Sequence, residues 1–231
     1  MLSPTGEHWG SRRSGLSRGS FVMSSRRAFM GFAAVLAAGV LAAPMAQAAP
    51  SKEAETFISN LANEALKDLS DKLPEPELEK RFKTMLDKNF DMPRISRFVL
   101  GRYWTGATDN EKQDFLSLFE AYVVRAYSIR FSEYSGETVK VTGSRSESGD
   151  NSVVASHIIQ PDGAPPVHVD WIVRKNADEF RIADVSVDGV SMVLTQKQEF
   201  AAVIERSGGG GVTALNKAIQ EKLSSTNTAQ Q

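Results

Sequence analysis

"PPVHVDWIVRKN", residues 165–176, changes character at every step. Val167, Val169, Trp171 and Val173 fall on one side, and His168, Asp170, Ile172 and Arg174 on the other. A period of two predicts a strand with one apolar face. Working outward, "ETVKVTG" (137–143) and "SVVASHIIQ" (152–160) show the same period, separated by the turn residues Gly149, Asp150 and Asn151. "PDGAPP" (161–166) turns the chain into the quoted strand. "NADE" (176–179) then leads to "FRIADVSV" (180–187), a break at Gly189 and a short extension, Val190 to Leu194. Runs of six to ten residues joined by turn residues predict an antiparallel meander.

The period differs on either side of the meander. Phe57, Ile58, Leu61, Ala65 and Leu69 make one helical stripe. Leu73-Pro74-Glu75-Pro76 ends it, and Pro76 suits the first turn of a second helix bearing Leu78, Phe82, Met85 and Leu86. After Asp91-Met92-Pro93 a short helix carries Ile95, Phe98 and Val99, and extends as far as Tyr103. Thr108 and Glu111 form a capping box opening a long helix with Phe115, Leu118, Phe119, Tyr122, Val123, Ala126 and Ile129. Beyond the meander, Thr195 and Gln198 form a second capping box before a helix with Phe200, Val203 and Ile204. Ser207 to Gly211 stops that helix. A last amphipathic helix carries Leu215, Ile219 and Leu223, and the tail "SSTNTAQQ" is expected to fray. The fold class is α+β: an antiparallel sheet of about four strands with helices on one side.

The first 48 residues do not belong to this domain. Arg26 and Arg27 precede an apolar run from Ala28 to Ala43, followed by Ala46-Gln47-Ala48, which predicts an export signal cleaved after Ala48. The run is too short and too rich in small residues for a good membrane span. "SSRRAFMG" (24–31) also fits the twin-arginine pattern loosely. Residues 1–22 read as a disordered extension, so residues 49–231 make one domain. The removed part holds five Arg and one acid, which takes the balance from 27 basic and 28 acidic to 22 and 27. That net charge of −5 argues against nucleic acid and weakly against anionic lipid surfaces. With no cysteine, stability comes from packing without disulfides.

Catalytic chemistry is thinly represented. His157 and His168 lack a third ligand and any HxxxH spacing, so no metal is expected. Gly189-Val190-Ser191-Met192 resembles a nucleophile elbow only superficially. Ser207 to Val212 lacks the ending of a phosphate loop and follows a helix, so it reads as a joint. Asp170, Asp184 and Asp188 are the carboxylates that could meet on the sheet. A paired acid and base would need them in one pocket, and turn or solvated roles explain them equally well.

Three stretches together, residues 97–123, 160–176 and 183–200, resemble the MlaC family of periplasmic phospholipid-binding proteins, also described as toluene-tolerance components of an ABC transport system. The most specific matches are Val99-Leu100-Gly101 followed by Tyr103-Trp104, and Gly189-Val190-Ser191-Met192. The resemblance covers residues 49–231. It implies a curved sheet wrapped by helices, like the nuclear-transport-factor cone, around an apolar cavity. It implies a monomeric periplasmic carrier of phospholipid without cofactor or catalysis. Its partners would be an outer-membrane lipoprotein complex and an inner-membrane ABC transporter with an MCE-domain protein. Such a system maintains outer-membrane lipid asymmetry.

A diacyl lipid hides roughly 30 methylenes at about 0.8 kcal/mol each, near 24 kcal/mol in all. A carrier therefore needs a lining as apolar as a bilayer, with polar groups confined to the mouth. The sheet would offer Val167, Val169, Trp171 and Val173, facing Ala183, Val185 and Val187. Val99, Tyr103, Phe115, Phe119, Tyr122, Val190, Met192, Phe200 and Ile204 would close the walls. Taken singly each residue suits a filled core better than a cavity wall, and periodicity does not separate the two. The rivals are a hopanoid or other terpenoid-lipid binder, a cone-fold enzyme using Asp170 or Asp184, and an adaptor with a filled core.

Overall fold

The computed structural model describes residues 51–71, 73–131, 134–147, 149–177 and 179–228, within the unit Met45–Gln231. The expected export signal and its cleavage point lie outside the described residues. Helix α1, Lys52–Ser70, starts where Ser51 Oγ accepts the amide of Ala54, and its first turn carries Glu53 and Glu55 where the helix dipole favours acids. Helix α2, Glu75–Asn89, has proline in its first turn. Asp91 caps α3, Met92–Leu100.

Gly101 ends α3 with φ 57° and ψ −127°, a backbone region that side chains disfavour. The chain then makes a separate short helix α4, Tyr103–Gly106, so Tyr103 does not continue α3 as expected. Phe98 also departs from expectation: it is 48% exposed and lies on the outer face of α3. The capping box at Thr108 and Glu111 forms as read. Thr108 Oγ1 accepts the Glu111 amide and Glu111 Oε2 accepts the Thr108 amide, opening α5, Asp109–Phe131.

Strands β1 (Thr138–Ser146), β2 (Asn151–Ile159), β3 (Val167–Asn176), β4 (Glu179–Val187) and β5 (Val190–Ser191) form one antiparallel sheet in chain order. Cross-strand partners share a face, so the register places Val139, Val141, Val154, Ser156, Ile158, Val167, Val169, Trp171, Val173, Val185 and Val187 together. Ala183 was expected on that face. A bulge between Ile172 and Val173 instead sets Ile182 opposite Val173, and Ala183 has no partner in the register.

The extension after β4 is shorter than expected. β5 holds two residues, and helix α6, Met192–Arg206, begins at once. Its N-cap is Ser191, whose Oγ accepts the Leu194 amide; the Thr195 hydroxyl turns back to the carbonyl of Ser191. The second capping box read at Thr195 and Gln198 is therefore replaced by a cap one turn earlier. Glycines 208 and 209, both with positive φ, make the joint to α7, Gly211–Thr228. α7 stays helical through the first five residues of the tail expected to fray.

Two apolar clusters hold the domain together. One joins α1 to the sheet through Ala54, Ile58, Leu61, Val154, Val173 and Ile182, all buried. The other is helical and gathers Phe82, Ile95, Val99, Leu100, Phe115, Phe119, Phe200, Ile204, Leu215 and Ile219 from α2, α3, α5, α6 and α7.

Candidate functional site

Of the fifteen residues expected to line a hollow, Trp171, Val173 and Val185 belong with the cluster under α1, and Val99, Tyr103, Phe115, Phe119, Tyr122, Phe200 and Ile204 with the helical one. Val167, Val169, Trp171, Val173, Val185 and Val187 share one sheet face. Val173 is fully buried under α1, where Trp171 and Val185 also pack. Toward the other end of β3, Val169 is buried, while Val167, Val187 and their neighbour Ile158 keep part of their surface free. From Val167 to Val173 this strip runs about 20 Å at the usual rise per residue. The tails of one bilayer leaflet occupy about 15 Å, half the hydrocarbon thickness, so the strip is long enough to lie along an acyl chain.

Beside Val169 and Trp171 the strip carries a polar group, and it is satisfied. Ser156, fully buried, accepts the indole N–H of Trp171 at 2.9 Å and donates to the carbonyl of Val169 at 3.2 Å. Pinning the indole nitrogen removes the polar atom that would otherwise require water on an apolar face.

The helical candidates behave differently. Phe115 and Phe119 stack at 5.5 Å, and Phe200 meets them edge-on at 6.0 and 5.8 Å. Tyr122 lies 5.8 Å from Phe200, and Val99 and Ile204 are buried in the same cluster. Among the described residues this cluster contains no sheet residue, so these rings interlock with one another. Tyr103 packs against them while its hydroxyl is held at the surface by Arg102 and Glu205. Met192 opens α6, and Val190 is 55% exposed.

Met85 and Phe90 pack against both clusters, so they mark the seam between sheet and helices. Phe90 is fixed by its bridge to Ile182, whose carbonyl also accepts the Asp91 amide at 2.9 Å. The sequence reading placed Met85 on a helix stripe and did not use Phe90. An aromatic residue left outside that stripe, just before Asp91-Met92-Pro93, was the available signal. A methionine at a seam adapts its shape at little cost. A separate recess between α1 and α2, lined by Ala65, Leu69, Leu78, Phe82 and Met85 with Asp68 and Arg81, has a volume of about 20 Å³. That suits a water molecule and falls far below the roughly 300 Å³ at which ligand pockets begin, so this recess is not the expected hollow.

The three candidate carboxylates have structural partners. Asp184 accepts the amides of Val185 and Val193 and the Ser191 hydroxyl, which clamps β4 to the start of α6. Asp170 lies 3.2 Å from His168 Nε2 and 3.3 Å from Arg145. Asp188 accepts the amide of His168. His157 and His168 face each other across β2 and β3 with rings 5.3 Å apart, and the described residues contain no three-ligand metal cluster.

Two polar clasps brace the helical layer. Arg125 bonds to Glu75 and Glu79, and Ser128 also reaches Glu79, joining α5 to α2. Glu79, ahead of Glu75, raises the Arg125 pKa. At the other end of α5, Glu111 accepts from Thr213 and Thr108, and these bonds hold its carboxyl at a pKa of about 2.

The family model described as "MlaC protein" matches residues 58–221. Among solved structures, the chain is similar to the phospholipid-binding protein from Ralstonia solanacearum in complex with a phospholipid. Identity is 24% and the TM-score 0.59, over 72% of this chain and 97% of that one. The likeness extends over nearly the whole of that fold, an α+β layout with an open antiparallel sheet.

Proposed function

This chain belongs to the MlaC family, and from that membership we propose that it binds phospholipid and carries it through the periplasm. The acyl chains lie along the strip from Val167 to Val173, with Val185 and Val187 beside them, which requires α1 to lift from Val173 and the seam at Met85 and Phe90 to open. The single observation that carries this reading is the strip itself: an apolar sheet face about 20 Å long, its one indole N–H paired internally, left partly free beyond the footprint of α1. The similar Ralstonia solanacearum protein, which holds a phospholipid, supports the same ligand class.

The helical cluster serves as the rigid wall against which the seam opens. Separating two apolar surfaces costs the protein hydrophobic contact, which contact with the acyl chains replaces. In this reading the chain is a binding protein and not an enzyme, because Asp170, Asp184 and Asp188 are committed to backbone and neighbouring side chains. It is exported by residues 1–48 and works as a monomer. It exchanges lipid with an outer-membrane lipoprotein complex and an inner-membrane ABC transporter bearing an MCE-domain protein, and so maintains outer-membrane asymmetry. No described helix is long and apolar enough to cross a membrane.

The test is organic extraction of protein purified from its host, with mass analysis of what is released. About one two-chain phospholipid per chain is expected. Hopanoid masses in its place would give the ligand to the terpenoid class, and a protein without lipid would support the adaptor.

A further inference from the structure

Away from the strip, the outer surface of α3, α4 and α6 interleaves aromatic rings with cations. Phe98 on α3 is 48% exposed and Leu194 on α6 is 45% exposed. Lys197, one turn beyond Leu194, sets its ammonium 4.4 Å from the Phe98 ring centre. Arg97 and Lys112 lie 6.0 and 5.8 Å from the Trp104 ring, and Arg102 lies 4.9 Å from Tyr103. α3 and α6 run close enough that a methyl group on Gly101 would come within 2.8 Å of Lys197 Cε. Lys112 is paired with Asp109, and Arg102 with Glu205. Arg94, Arg97 and Lys197 make no ion pair among the described residues.

We propose that this face docks the protein on an anionic phospholipid bilayer, with Phe98 and Leu194 entering the headgroup region and Arg94, Arg97 and Lys197 neutralising lipid phosphates. The domain carries net negative charge, so three uncompensated cations around two exposed apolar side chains are a local reversal of sign. Long cationic side chains beside aromatic rings match the bilayer boundary, where rings sit at headgroup depth and ammonium or guanidinium groups remain wet. The proposal departs, for one face, from the expectation drawn from total charge. Two exposed apolar side chains flanked by three cations are the features of a reversible contact with a membrane surface. The inference stands independently of the carrier reading, since none of these residues lies on the strip.

The test is sedimentation of the full-length chain's purified product with vesicles of phosphatidylcholine alone and with about one-third phosphatidylglycerol. Binding to the anionic vesicles is expected at low salt and is lost at about 0.5 M salt, where screening acts over a few ångströms. Each cation removed should weaken binding about five-fold, so R97Q/K197Q weakens it about 25-fold. F98S, which keeps every charge, should also weaken it. Lipid content and the urea midpoint, read on the same preparations, should match wild type, which separates failure here from failure of the carrier reading. Equal binding to neutral vesicles, or unchanged binding by both variants, overturns the proposal. So does binding to immobilised polyglutamate without vesicle binding, which would give the face to an acidic protein.

Discussion

Replacing Phe115 by alanine distinguishes a filled helical layer from a lipid-lining one. Phe115 is fully buried between Phe119, stacked at 5.5 Å, and Phe200, edge-on at 6.0 Å. Rings interlocked on two sides relax little into the space left behind, so the loss should reach about 3–5 kcal/mol. Against a typical total of about 5–15 kcal/mol that is a large fraction. With a urea slope of about 2 kcal/mol/M, the midpoint should fall by about 2 M. Lipid recovered per folded chain should not change. Val187→Asp is the counterpart. Val187 is partly exposed on the strip, so stability should fall by only about 1 kcal/mol, while a carboxylate beside acyl chains should empty the site. The assay is a urea titration paired with lipid extraction from the folded fraction. If Phe115→Ala costs under about 1 kcal/mol and strips lipid, or if Val187→Asp stays fully loaded, the division between core and strip is refuted. Phe115→Leu, expected to cost less than about 1.5 kcal/mol, keeps the comparison usable if the alanine variant folds poorly.

Glu111→Gln should destabilise the protein by about 1 kcal/mol at neutral pH, because it removes the charge that strengthens the bonds accepted from Thr108 and Thr213. The folded carboxyl sits at about 2 against 4.5 for the free group, so its contribution is complete above 4.5 and lost as pH falls toward 2. The two melting curves should therefore converge across that window, and a constant gap would show that the carboxylate charge is irrelevant. Ser191→Ala should cost about 1 kcal/mol by thermal melting, through the Leu194 amide and the partner it removes from Asp184. Thr195→Ala should cost less, reversing the order expected from the sequence. Gly101→Ala should destabilise by about 1 kcal/mol or more, since φ is 57° and the added methyl meets Lys197. Gly101 is therefore a position that reports on folding and does not report cleanly on lipid loading.

The meander was legible because its period is unmistakable: the strand quoted at the outset, residues 165–176, is found as Val167–Asn176, with Trp171 and Val173 of its apolar side against α1. The helix stripes were legible for the same reason. What the period could not carry was depth. Phe98 and Val99 are neighbours on one short helix, yet one faces solvent and the other is buried, and only the tertiary neighbours of α3 decide between them. The start of α6 was misplaced because Ser191 competes with Thr195 as cap, and Asp184, seven residues upstream, tips the balance by holding Ser191 in place. Ala183 left the strip through a bulge, which alternation alone does not announce. The shared sheet face of the strand candidates was legible, while wall and core were not separable among the helical ones, because a wall ring and a core ring have the same spacing.

The central claim places acyl chains on the sheet face beside Trp171 and the seam at Phe90. It is tested most directly with a phospholipid carrying a photoreactive diazirine in one tail, loaded into the protein, irradiated and mapped by peptide mass analysis. The account predicts label on β3 and β4, at Val167 to Val173, Val185 and Val187, and on Met85 and Phe90. Label confined to the helical rings Phe115, Phe119 and Phe200, with the strip untouched, would contradict it.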